Sequence, residues 1–344
     1  MIKSWGGRMK PLISILSTSR WFRWLLMLGI LMVPQLVEAQ WRATVGAQTE
    51  DKGVQALAFL PNEIWIHSGD SVTWTFETDE PHTVTFLTSG QTRLAYQIGC
   101  PGFSPDGSAT FDGSTCLSTA PLTKGQTFTV TFTSVGNFKL VCLVHANMTG
   151  VVHVLSPSGP VPHDQDFYDD QAADMQQRLL SGMHHEGDPE AHDHDLDRSP
   201  SSENQVIAGD SKILGTAGGS STVALARFMQ PNIVIHAGET VEWSNVGPVA
   251  SHTVTFGVEP SNAMSPSASV TVDADGARHA VITSTTDSVN SGYISPSPQE
   301  RVGLAQSPLG VTRFRATFTK AGTYPYICTL HDNLGMTGTV IVLP

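Results

Sequence analysis

The sequence is poor in charged side chains, and poorest in basic ones. Charged residues make up 15% of the 344, and 31 Asp and Glu outnumber 19 Lys and Arg, for a net charge of −12. So few positive groups exclude the basic surface that nucleic-acid binding requires, and we expect no nucleic-acid partner. Four cysteines in a chain of this length also exclude a small scaffold held together by disulfides.

Long helical periods are scarce as well, although apolar residues reach 40%, which is enough to exclude disorder of the whole chain. Val72, Trp74 and Phe76 alternate with polar residues, and turns rich in glycine and proline separate such segments. Alternation with period two is typical of strands that bury one face. The sequence therefore predicts an all-β protein made of antiparallel sandwiches.

Residues 1–39 have the order of a secretory signal peptide. Five basic residues and no acid precede the apolar run 24–33, Pro34 ends it, and Val37-Glu-Ala39 offers small residues before a cleavage at Gln40. The run is shorter than the roughly 20 apolar residues of a membrane span, so we expect none after cleavage; an uncleaved anchor over residues 21–37 is the alternative. Cleavage would remove five bases and one acid, changing the net charge from −12 to −16. We expect a periplasmic or secreted protein.

The chain also contains an internal repeat. The segment Ile-Trp-Ile-His-Ser-Gly-Asp-Ser-Val-Thr-Trp ends at Trp74, and Ile-Val-Ile-His-Ala-Gly-Glu-Thr-Val-Glu-Trp ends at Trp243. His-Thr-Val-Thr-Phe follows each copy, at 82–86 and 252–256. Such repetition predicts two homologous domains, which we place at 41–155 and 213–344.

Residues 156–212 interrupt the repeat and read as an acidic, histidine-rich linker. Asp and Glu number thirteen there against three basic residues, and five histidines are present. A short helix is predicted over 164–183, with Phe167, Met175 and Leu179 on one side. The histidines are interpreted as part of a solvated tether, and weak binding of Cu(II) or Zn(II) is the alternative.

Four residue types recur in the same order in both repeats. They are the predicted metal ligands His82, Cys142, His145 and Met148 in the first copy, and His252, Cys328, His331 and Met336 in the second. Two imidazoles, one thiolate and a weak thioether form the ligand set of blue-copper (type 1) electron-transfer sites. A disulfide between Cys142 and Cys328 is the alternative. Because the whole set occurs twice at matching places, the sequence predicts two type 1 copper centres.

Cys100 and Cys116 lie sixteen residues apart in an insertion that the second repeat lacks. In an oxidising compartment two such cysteines form a disulfide, and we predict one here. A role as additional metal ligands is the weaker alternative, because no histidine lies near them in the sequence.

Both repeats resemble the plastocyanin-like cupredoxins. The second motif, Cys328-x2-His331-x4-Met336, has the spacing of plastocyanin, and the first, Cys142-x2-His145-x2-Met148, is two residues shorter, like amicyanin. The resemblance implies two tandem Greek-key β-sandwich domains with copper near one end of each. It also implies that His145 and His331 lie near the surface, where electrons leave.

Together these observations predict an exported carrier of single electrons between redox proteins, with a cytochrome or a copper oxidase as candidate partners. A periplasmic copper buffering or delivery protein is one alternative. A two-domain enzyme of the multicopper oxidase or nitrite reductase type is another, and is disfavoured because the only His-x-His string lies in the linker, at 192–194. A metal site with all positions filled is also poorly suited to substrate chemistry.

Overall fold

A computed structural model describes residues 39–94, 100, 102–103, 107–182, 203–295 and 311–344. The predicted signal segment up to residue 38 and the linker histidines at 184, 185, 192 and 194 lie outside these residues. In the part described, no helix has the length and apolarity that crossing a membrane would demand.

The first domain consists of short strands, as its alternating sequence predicts. They are β1 (Gln40–Gln48), β2 (Val54–Leu60), β3 (Glu63–His67), β4 (Ser71–Phe76), β5 (Thr85–Phe86), β6 (Gly102–Phe103), β7 (Ser108–Phe111), β8 (Leu117–Ser118), β9 (Thr127–Phe132), β10 (Gly136–Val141) and β11 (Thr149–Leu155).

Helix α1 (Gln165–Ser181) lies between the two domains in the chain. The strands of that domain are β12 (Gln205–Gly215), β13 (Ser220–Met229), β14 (Asn232–His236), β15 (Thr240–Ser244), β16 (Thr255–Phe256), β17 (Thr271–Val272), β18 (Arg278–Ile282), β19 (Val289–Asn290), β20 (Arg313–Phe318), β21 (Gly322–Ile327) and β22 (Thr337–Leu343). Strand β12 therefore starts inside the segment that the sequence assigned to the linker.

The two domains share one sheet. Its order is β17-β18-β20-β15-β12-β13-β2-β1-β4-β9-β7, and the domains join where β13 pairs antiparallel with β2. A second sheet in each domain, β3-β11-β10-β5-β8-β6 in the first and β14-β22-β21-β16-β19 in the second, completes a sandwich. The all-β, two-domain prediction is confirmed.

Buried aromatic side chains fill both sandwiches. Trp74 packs against Phe86 in the first domain, with ring centroids 5.5 Å apart, and Trp243 packs against Phe256 at 5.8 Å in the second. In β4 every second residue is buried, because successive side chains of a strand point to opposite faces. The alternation read from the sequence is thus the alternation between core and surface.

Strand β2 is different, since all seven of its residues are buried. Leu57 and Phe59 face the core of the first sandwich. Ala56 and Ala58 face the opposite way, into a small apolar cluster that also contains Leu179 of α1. The strand is buried on both faces because the helix covers the side that would otherwise meet solvent.

Helix α1 begins at a side-chain cap, where Asp164 accepts a hydrogen bond from the Phe167 amide at 3.0 Å. It buries Tyr168, Met175 and Leu179. Phe167, which the sequence places on the same side of the helix as Met175 and Leu179, is 43% exposed and stacks on His163. Tyr168 takes its place because its hydroxyl also reaches the backbone of β3, accepting from the Trp65 amide at 2.8 Å.

Candidate metal centres

In the first domain, His82, Cys142 and His145 converge at one end of the sandwich, and all three are buried. Nδ1 of His82 lies 3.0 Å from Nδ1 of His145. The Cys142 Sγ atom lies 4.0 Å from the first of these nitrogens and 3.7 Å from the second. The three atoms form a triangle, and all of them could bind one small metal ion placed at its centre.

The second domain repeats this triangle with His252, Cys328 and His331, which are also buried. The two Nδ1 atoms are 3.1 Å apart, and Sγ lies 3.9 Å from His252 Nδ1 and 3.4 Å from His331 Nδ1. The near-identity of the two groups follows from the sequence repeat.

Strand ends and tight loops position these side chains. Cys142 follows β10 directly, and its amide donates to the carbonyl of Met148, which precedes β11, at 3.0 Å. The first histidine arrives from a distant part of the sandwich, where His82 forms an isolated antiparallel bridge with Leu122. The loop and the body of the sandwich thus contribute ligand candidates separately.

The second ligand loop closes in the same way although it is two residues longer. The Cys328 amide donates to the Met336 carbonyl at 3.0 Å. The additional residues form a 3-10 turn, Asp332–Leu334, which Gly335 ends in the left-handed conformation with φ of 93°. Glycine suits that position because it carries no Cβ.

Met148 and Met336 are each completely buried, in the same apolar clusters as Cys142 and Cys328 respectively. Their position at the end of each loop is the one that the sequence predicts for the axial thioether.

Both sulfurs accept hydrogen bonds from the backbone. In the first domain the amides of Thr83 and His145 both donate to Cys142 Sγ at 3.4 Å, and in the second the Thr253 amide donates to Cys328 Sγ at 3.4 Å. Hydrogen bonds of this kind stabilise a thiolate and tune a metal bound to it.

Threonine also ties the ligand loop to the first histidine's segment. The Thr83 hydroxyl accepts from the amide of Leu143 at 2.8 Å, and Thr253 accepts from the amide of Thr329 at 2.8 Å. The same connection between the ligand loop and the first histidine's segment is thus made by a threonine hydroxyl in both domains.

The electrostatics favour a deprotonated sulfur. Burial alone would raise the pKa of the Cys142 and Cys328 thiols, but the neighbouring histidines lower both well below the ordinary value. Burial likewise opposes protonation of His145 and His331, yet the thiolates and Glu80 raise the pKa of His145 to about 9 and that of His331 to about 10. These shifts favour the thiolate over the thiol in each centre, and the thiolate is the form in which cysteine binds a metal ion.

Two glycines that the sequence reasoning missed support the first histidine of each centre. Gly46 and Gly209 lie at irregularities of β1 and β12, with φ of 68° and 73°. A Cβ at either position would collide with the imidazole of His82 or His252. The sequence could have indicated them, because each is a glycine in an apolar, strand-like segment that precedes one copy of the repeated sequence.

His145 and His331 differ from the expectation drawn from the resemblance. Each is only 7% exposed, because each approaches the space between the domains and not the open surface. The side chain that separates them is Glu80, another residue that sequence reasoning missed. Its position two residues before His82 was the only signal.

Cys100 and Cys116 form a disulfide, with Cα atoms 5.3 Å apart. Cys142 and Cys328 are not joined to each other or to any other cysteine. The sulfurs of the two triangles therefore remain available as metal ligands.

The donor set fits copper. Two imidazole nitrogens and one thiolate lie close enough to share one ion, and a buried thioether follows in each loop. Soft sulfur together with imidazole selects copper over magnesium or calcium, and the group matches a type 1 site.

The comparison with family models agrees with this assignment. The model of the family described as copper binding proteins, plastocyanin/azurin family, matches residues 45–155 and 216–343. No curated protein matches the chain. Among solved structures, the oxidized form of plastocyanin from Dryopteris crassirhizoma is 21% identical, with a TM-score of 0.21, over 40% of this chain and 99% of that one. The purple cupredoxin from Nitrosopumilus maritimus is 20% identical, with a TM-score of 0.19, over 40% of this chain and 98% of that one.

Fold and site together define a cupredoxin with two tandem domains, each carrying a His-Cys-His group that fits type 1 copper. The chain belongs to the plastocyanin/azurin family of copper-binding proteins, since the family model covers most of both domains.

Proposed function

We propose that the protein is an exported electron carrier that holds one copper ion in each domain. His82, Cys142, His145 and Met148 are the ligands of the first centre, and His252, Cys328, His331 and Met336 are those of the second. Bound copper supplies a one-electron couple between Cu(I) and Cu(II). The observation that carries the proposal is the occurrence of two matching triangles of Sγ and Nδ1 atoms, each buried in a β-sandwich.

The chain's own residues account for the rest of this activity. The sandwich holds the two imidazoles and the thiolate in place, and the amides of Thr83 and Thr253 keep each sulfur oriented. The geometry of ligands held in this way changes little when a bound copper ion gains or loses an electron. A small change in geometry favours fast electron exchange. The same proposal implies redox partners, which are proteins that donate or accept single electrons.

Burial favours a carrier over a copper delivery protein. The cysteines and the first histidines are at most 2% exposed, so a metal ion released to a partner would have to pass through packed side chains. Loss of copper to a mild Cu(I) chelator within seconds would favour delivery instead. Turnover of dioxygen or nitrite would favour the enzyme alternative.

Cysteine variants test the proposal. Copper-loaded wild-type protein is expected to show intense visible thiolate-to-copper absorption. Cys142→Ser and Cys328→Ser should each remove one contribution and one bound copper, and the double variant should be colourless. A double variant that keeps the colour would place the copper elsewhere. Ser156→Ala, in an exposed turn, serves as the neutral control.

A further inference from the structure

One carboxylate lies between the two centres. Glu80 Oε1 is 3.0 Å from Nε2 of His145, and Glu80 Oε2 is 3.6 Å from Nε2 of His331. The Glu80 side chain is 8% exposed. Its two oxygens thus face the candidate ligands of two different metal centres.

The surroundings leave little room for anything else. Glu80 shares its pocket with apolar residues from both domains, among them Leu57, Leu225 and Ala250. The free space is about 10 Å³, enough for at most one water molecule. The direct contacts of Glu80 are therefore the connection between the two histidines.

The acid is present in only one of the two repeats. Glu80 precedes His82 by two residues, and the corresponding residue before His252 is Ala250, which lines the same pocket. A second carboxylate at Ala250 would place two like charges in a space with little water. Glu80 is therefore a single carboxylate shared by the two metal centres.

The chemistry of the imidazole ring gives this acid a role. In both histidines Nδ1 faces the sulfur and Nε2 faces Glu80. An imidazole that binds metal through Nδ1 carries its proton on Nε2, and a carboxylate that accepts a hydrogen bond from this N–H group fixes the ring and raises its basicity.

We propose that Glu80 is a positioning residue for both centres and couples them, so that one electron passes between the domains through His145, Glu80 and His331. This inference rests on the proposed function. In the step, one centre is oxidised by one electron and the other is reduced by one, no bond forms or breaks, and the Nε2 protons stay in place. The first electron comes from an external one-electron donor.

Metal affinity in single-site proteins tests the positioning role. Cys142→Ser leaves only the second site and Cys328→Ser leaves only the first, and Co(II) serves as the probe because its thiolate absorption reports binding. Adding Glu80→Ala to either background should weaken Co(II) binding roughly tenfold or more. Glu77→Gln, an exposed acid three residues away, should leave both affinities unchanged.

Glu80→Gln provides a test that preserves side-chain size. Its amide offers one acceptor oxygen, so it can serve one imidazole while presenting N–H groups to the other. One site should keep its affinity and the other should lose it. Weakening of only one site by Glu80→Ala, or of neither, would overturn the bridging role, provided that circular dichroism shows the variant to be folded.

Electron exchange between the centres tests the coupling itself. A radical generated by pulse radiolysis places one electron on copper-loaded protein, and the two centres are distinguished by the spectra of the single-cysteine variants. Wild type should redistribute the electron at a rate independent of protein concentration, and Glu80→Ala should slow this step roughly tenfold. An unchanged rate would overturn the coupling. A wild-type protein that binds no copper with thiolate absorption would instead overturn the proposed function.

Discussion

A Cβ atom at residue 209 would collide with Nε2 of His252, and the backbone there has φ of 73°. Both effects penalise any side chain at residue 209, so the second centre depends on a glycine beneath one imidazole. At Gly46 in the first domain, an added Cβ would meet the Thr78 side chain as well as the imidazole of His82. The two glycines occupy comparable bulges in the first strand of their domains, which makes them a repeated part of the site.

Gly209→Ala should displace His252 and abolish or shift the absorption of the second centre while leaving the first intact. The positive φ adds about 1–3 kcal/mol of strain. Gly238→Ala is the control, because it also has positive φ, 95°, but opens onto free space. Metal-loaded spectra of the two variants decide the matter. Equal spectra would show that the close approach to His252 has no effect on the site.

At this scale the sequence predicted the eight ligand candidates, because their order is repeated. Gly46 and Gly209 were missed, since the recognisable repeat begins after both. Glu80 was missed for a different reason. Comparing the repeats hides a residue whose counterpart is Ala250, and only the packing of the domains brings Glu80 to His331.

Among the elements, α1 covers one face of β2 and explains why that strand is apolar throughout. Leu179→Ala should lower the free energy of unfolding by about 2 kcal/mol or more, because the side chain is only 4% exposed. Phe167→Ala, on the exposed side, should cost less than about 1 kcal/mol. Urea unfolding of metal-free protein compares them, and equal costs would contradict the packing described for α1.

The edge of the second sandwich carries an acid-sensitive cluster. Asp275 lies 2.7 Å from Arg315 on β20, and this contact lowers the pKa of its carboxyl to about 2. A group with a lowered pKa in the folded state stabilises the fold above its ordinary pKa, and that contribution is lost as the pH falls from about 4 to 2.

We therefore expect Asp275→Asn to flatten the dependence of the unfolding temperature on pH between about 4 and 2. The effect is modest and decreases with salt, because the carboxylate is exposed. Thermal unfolding of metal-free protein across this range measures it. Parallel curves for variant and wild type would contradict the assignment.

Over the whole molecule, the alternating pattern predicted two sandwiches but not their arrangement. The pairing of β13 with β2 depends on both strands having edges free to meet, which neither repeat reveals alone. The burial of His145 and His331 follows from that junction. The resemblance to single-domain relatives therefore suggested exposed histidines where this chain has covered ones.

Charge is the property of the whole chain that bears on its partners. Cleavage after residue 39 would leave a net charge of −16, counted from five bases and one acid removed. Electron exchange with a basic c-type cytochrome should therefore slow as ionic strength rises, whereas exchange with an acidic one should speed up. Stopped-flow rates at several salt concentrations test this. A rate that salt does not change would contradict electrostatic steering.

Coulometric titration of the copper-loaded chain, followed by visible absorption, tests whether the chain holds two redox-active type 1 copper ions. Two electrons per chain are expected to bleach the thiolate-to-copper absorption, and reoxidation should restore it fully. A colourless copper-loaded protein, or a colour that does not respond to reduction, would contradict this expectation.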